Sequence, residues 1–185
     1  MLRGCAFAIL TTTLLMGGTS AAQAGLPTPP PELKKLDYFR GAWYSEGYVK
    51  PSGTVGAGGK ITQYDAREWM AGNFFLVVHS TFTALNGDGV GIALMGYDQH
   101  EKVYTYDEFY SQGEADHFKG TVQGDEWIWT MDNFEVRSKV LKARYTMKII
   151  SPTVYTYKFE TSSDSGVTWV LMLEGKDTKQ SSFPR

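Results

Sequence analysis

From Gly41 onward the chain alternates apolar and polar positions with a period of two. In 140–150, Leu141, Ala143, Tyr145, Met147 and Ile149 alternate with Lys142, Arg144, Thr146 and Lys148. In 154–160, Tyr155, Tyr157 and Phe159 alternate with Thr156, Lys158 and Glu160. One dry face and one wet face is the mark of antiparallel strands. Segments of this kind predict about ten strands, near 42–49, 59–69, 73–84, 89–97, 102–110, 115–123, 126–135, 140–150, 154–161 and 168–176. Turn-forming residues separate them, among them Asn86-Gly87-Asp88-Gly89, Gln123-Gly124-Asp125, Ser151-Pro152 and Asp164-Ser165-Gly166. Before Gly41 the period is three: Leu33, Leu36 and Phe39 make one apolar stripe behind a proline, predicting a short helix over 31–39. That helix is too short to stand alone in water and must lie against the strands.

Strands joined only by short turns predict an all-β protein, an antiparallel up-and-down barrel of about ten strands with a short N-terminal helix. Closure removes exposed edges. A barrel this wide leaves room inside unless large side chains fill it. The domain is expected over 32–178, with a proline-rich leader over 25–31 and a tail over 179–185.

Residues 1–24 read as a signal peptide. Arg3 supplies positive charge, an apolar run spans Cys5 to Met16, and Ala22-Gln23-Ala24 resembles a cleavage site. The run is shorter than the roughly 20 residues that cross a bilayer. Export is therefore expected, to the periplasm in preference to full secretion, with no stable membrane insertion after cleavage. Cys5 is the single cysteine of the 185 residues, so the mature chain is expected to lack disulfides. The formal net charge is −2 with both signs interspersed, which argues against nucleic acid as a partner.

Three motifs in order carry a resemblance. Leu36-Asp37-Tyr38-Phe39-Arg40-Gly41-Ala42-Trp43, then Glu68-Trp69-Met70-Ala71-Gly72-Asn73-Phe74-Phe75-Leu76, then Gly96-Tyr97-Asp98 followed by Lys102-Val103-Tyr104 resemble the DUF1579 family of uncharacterised proteins. The resemblance implies a calycin-like barrel, akin to lipocalins, fatty-acid-binding proteins and nitrobindins, with Trp43 packing across the closed end beneath the helix. It implies a shape more than an activity. Separately, Ser162-Ser163-Asp164-Ser165-Gly166-Val167-Thr168-Trp169 matches the Asp-box, S-x-D-x-G-x-T-W, which repeats in sialidase propellers. One copy in a chain of this length predicts a hairpin turn.

Aromatic residues make up 14% of the chain, enough either to fill a wide barrel or to line a cavity in it. The leading expectation is a non-enzymatic protein holding a small apolar or aromatic molecule in its lumen. Candidate lining residues are His79, Tyr106, Glu108, Trp129, Tyr145, Tyr157 and Trp169. Glu108 in an apolar lumen would have a raised pKa. One alternative is an enzyme that uses His79 with Glu108 for proton transfer, or a histidine-ligated haem as in nitrobindins. Another is a structural or protein-interaction module with a filled barrel. No resident cofactor is expected under the leading reading. No pair of histidines has metal-ligand spacing, and neither a nucleophile elbow nor a dinucleotide fingerprint occurs.

Overall fold

A computed structural model describes residues 27–52, 56–136 and 139–182. The signal-peptide reading and Cys5 lie outside the described residues. The described residues form ten strands: β1 Gly41–Val49, β2 Gly59–Trp69, β3 Leu76–Ala84, β4 Gly87–Asp98, β5 Val103–Tyr110, β6 Ala115–Gln123, β7 Glu126–Val136, β8 Lys139–Ser151, β9 Val154–Ser162 and β10 Val170–Gln180. Every strand pairs antiparallel with its sequence neighbours, and β1 also pairs with β10, closing the barrel. The fold is the expected all-β up-and-down barrel.

A 3₁₀ helix, Pro31–Phe39, precedes β1. Its apolar residues recur at a strict spacing of three, which eclipses them on a helix with three residues per turn. Nine residues is long for this helix type, and packing holds it: Leu33, Leu36 and Phe39 are buried. Each such side chain contributes about 1.5–3 kcal/mol by leaving water. The Trp43 indole donates to the Phe39 carbonyl at 2.7 Å, and the Trp69 indole donates to Asp37 Oδ1 at 2.7 Å. The helix thereby covers the end of the barrel where β1 begins and β2 ends.

This covered end is solid with rings. Trp127 and Trp129 stack at 5.6 Å between centroids, Phe39 meets Trp127 at 5.3 Å, and Trp43 meets Tyr155 at 5.2 Å. Gly120 makes room on β6, since a Cβ there would overlap the Trp129 ring.

Three strands differ from the sequence reading by two residues or more at an end. β3 begins at Leu76, because residues 70–75 form a turn in which the Asn73 amide bonds the Met70 carbonyl and Asn73 takes φ 59°. β4 starts at Gly87, since Leu85-Asn86 alone makes the turn. β10 starts at Val170 and runs to Gln180, into the segment read as tail.

Candidate functional site

At the end opposite the helix the barrel holds a cavity of about 320 Å³. Its size lies near the lower bound of the roughly 300–1,000 Å³ typical of small-molecule sites. Aromatic walls come from β5, β6, β8 and β9: Tyr106, Phe118, Tyr145, Tyr157 and Phe159. Each occupies an inward position of its strand, one set of alternate residues serving the lumen. Tyr157 fits because Gly47 and Gly175 face it, and a Cβ on either would collide with the phenol. Its hydroxyl accepts from Ser45 Oγ at 3.0 Å. Glu114, exposed, stands at the rim.

The floor is a buried ionic network. Arg67, 6% exposed, donates through Nη2 to Asp65 Oδ2 at 2.6 Å, to Asp177 Oδ2 at 3.1 Å and to the Tyr155 hydroxyl at 2.8 Å. Tyr155 in turn donates to Asp177 Oδ2. Asp65 Oδ1 accepts from Gln63 Nε2 at 2.8 Å and Ser80 Oγ at 2.7 Å. The guanidinium carbon also lies 5.5 Å from the Trp43 ring and 5.9 Å from the Phe39 ring, joining the polar floor to the aromatic plug. Asp177 Oδ1 is buried with no hydrogen-bond partner.

Burial sets the acid–base properties here. The Glu108 carboxyl is pushed up to about 7, mainly by loss of water, against the pull of hydrogen bonds from Tyr106 and Tyr110. Burial also raises Asp116, with Glu114 adding repulsion. Asp177 is raised by burial despite Arg67. Tyr157 is pushed up to about 12 by burial, so it is a neutral donor at physiological pH.

Four of the seven sequence candidates line this cavity: Tyr106, Glu108, Tyr145 and Tyr157. Trp129 points inward but sits in the solid half, fully buried, with its indole N–H unpartnered. His79 is a correction. It is exposed on the outer face of β3, because Leu76 and Val78 take the inward positions. Trp169 is a second correction. It belongs to the β9–β10 hairpin outside the lumen, donating to the Gly166 carbonyl at 3.0 Å beneath the Arg144 guanidinium.

His79 and Glu108 thus lie on opposite sides of the wall, so they form no proton-transfer pair. His100 is exposed in the turn after β4, and His117 pairs with Asp107 at 2.8 Å on the outside. Among the described residues the lumen offers no imidazole, and those that line it do not fit a histidine-ligated haem. Among the described residues no group of three or more His, Cys, Asp or Glu is placed to hold a metal ion. The sequence reading missed Asp65, Arg67 and Asp177. The available signal was an acid and a base two apart in one strand, on the face that also carries Ile61.

These features define a single-ended antiparallel barrel, plugged by rings at one end and hollow at the other. No family model matches the chain, and no curated protein does. Among solved structures it is similar to the crystal structure of Rv2717c from M. tuberculosis, at 14% identity and a TM-score of 0.57, over 82% of this chain and 99% of that one. That likeness is one of fold.

Proposed function

We propose that the barrel is a binding protein that takes a small molecule with an apolar or aromatic body into its open end. The cavity beneath Glu114 carries this reading: half the barrel is packed solid, while the other half keeps about 320 Å³ between tyrosine and phenylalanine walls. Gly47 and Gly175 seat the Tyr157 ring at the edge of that space. The cavity is too small for a long lipid chain and suits a compact molecule of up to three rings. The leader pattern of residues 1–24 supports an exported setting, the periplasm first. The three ordered motifs support kinship with the DUF1579 family.

Native mass spectrometry of protein purified from its own host tests this directly. The expected spectrum shows a mass lacking residues 1–24, plus a small adduct lost on mild denaturation. Binding of the neutral fluorophore N-phenyl-1-naphthylamine, with a blue-shifted emission, is the in vitro counterpart. A bare polypeptide mass together with no response from that fluorophore would sink the proposal.

A further inference from the structure

We infer that the cavity selects an organic cation, a quaternary or protonated amine joined to an apolar body. This rests on the binding role just proposed and names the class of ligand. Six ionisable acidic or basic residues line the space: Asp65, Arg67, Glu108, Glu114, Asp116 and Asp177. Five are acids. The one base, Arg67, is already shared between Asp65 and Asp177 at the floor. Among the described residues, none of Glu108, Glu114 and Asp116 makes an ion pair. Asp177 adds an independent observation: it is 3% exposed, borders the cavity, and keeps one carboxylate oxygen with no donor. Leaving such an acceptor unmet is costly, and the field of a positive charge in the cavity offsets part of that cost even without an N–H to donate.

Three other ligand chemistries fit less well. A carboxylate would meet a negative field in which Arg67, the one guanidinium among the described lining residues, is already paired with Asp65 and Asp177. A neutral ligand would leave the surplus acids uncompensated. A bare metal ion needs several ligands that converge, and among the described residues no three of these acids are placed to do so. An organic cation is weakly hydrated and spreads its charge over several carbons, so it gains from ring faces as well as carboxylates. Tyr106, Tyr110, Tyr145 and Tyr157 surround the same space.

Glu108 gives this selectivity a pH dependence. The groups facing it are Tyr106 and Tyr110 on its own strand, Asp116 on β6 and Asp65 on β2. Its carboxyl loses its proton near pH 7, so the negative field deepens as pH rises through that value. A permanently charged ligand should bind more tightly at pH 8 than at pH 5.5.

The test uses two probes of one shape, benzyltrimethylammonium and its uncharged isostere neopentylbenzene, each displacing N-phenyl-1-naphthylamine from the full chain. At pH 8 the cation should displace the fluorophore at roughly tenfold lower concentration. The advantage should shrink at pH 5.5 and fall in both Glu108→Gln and Asp116→Asn, either of which reports if the other fails to fold. Equal potency of the two probes, or stronger displacement by phenylacetate, overturns the cation inference while leaving the binding role intact. Failure of the fluorophore to bind, together with a bare polypeptide mass in the native spectrum, overturns both.

Discussion

Arg67 is the residue on which the interior's charge balance turns. Replacing it with methionine preserves much of the volume and the contact with Trp43, but leaves Asp65 and Asp177 facing each other without a cation. Breaking a buried pair in this way typically costs about 3–5 kcal/mol. Asp177, already raised by burial, can escape the penalty by taking up a proton. Urea unfolding should therefore show Arg67→Met losing more stability at pH 8 than at pH 5; an equal or smaller loss at pH 8 contradicts the network. Alternation identified Tyr106, Glu108, Tyr145 and Tyr157 because their strands alternate cleanly. His79 was misplaced because Phe74-Phe75-Leu76-Val77-Val78 is apolar on both parities, so either face could have been buried. Asp65 and Arg67 escaped notice because a charged pair two apart in one strand reads as a solvated face, and the partner that helps hold it inside, Asp177, stands over a hundred positions away.

At the scale of elements, the β9–β10 hairpin shows a local motif doing a local job. Asp164 accepts from the Thr168 amide at 2.8 Å and the Val167 amide at 3.1 Å, and bonds the Thr168 hydroxyl. Ser162 Oγ accepts the Gly166 amide at 2.8 Å, and Gly166 takes φ 94°, which disfavours any side chain. The Thr168 hydroxyl, followed by its amide, holds the Asp164 carboxyl down to about 2. A lowered acid contributes its stabilisation above its unfolded value, and that contribution fades as pH falls through about 2. Asp164→Ala should loosen residues 162–169 without unfolding the barrel. Limited proteolysis should then nick that loop first, with little change in melting temperature; a wild-type cleavage pattern would contradict this role. The turn was legible from eight residues because every bond in it is local. The strand ends were less so. The bulges between Met131 and Phe134 and between Leu171 and Leu173 follow from barrel curvature, which no local pattern encodes.

The whole molecule divides into a dry end and a wet end, and the sequence spoke mostly of the first. The motifs that resemble the DUF1579 family, around Trp43, Trp69 and Tyr97–Tyr104, all gather where the helix covers the barrel. They specify the plug, whereas the cavity's residues come singly from strands across the chain. Closure joins the two ends. β1 pairs with β2 from Gly41 to Val49 and with β10 from Ala42 to Val49, so neither terminal strand has a free edge. In an open sheet the outer strands fray and exchange their amide hydrogens through small local openings. Here, opening β10 would also pull Asp177 from Arg67 and strip the covering from β1, so the loss spreads to the floor of the cavity. Hydrogen exchange should accordingly find the paired amides of β1 and β10 as protected as those at the centres of β5 and β8. Fast exchange confined to β1 and β10 would mean the wall is unzipped in solution. It would also mean that the cavity lacks the rigid rim on which selection of a small cation depends.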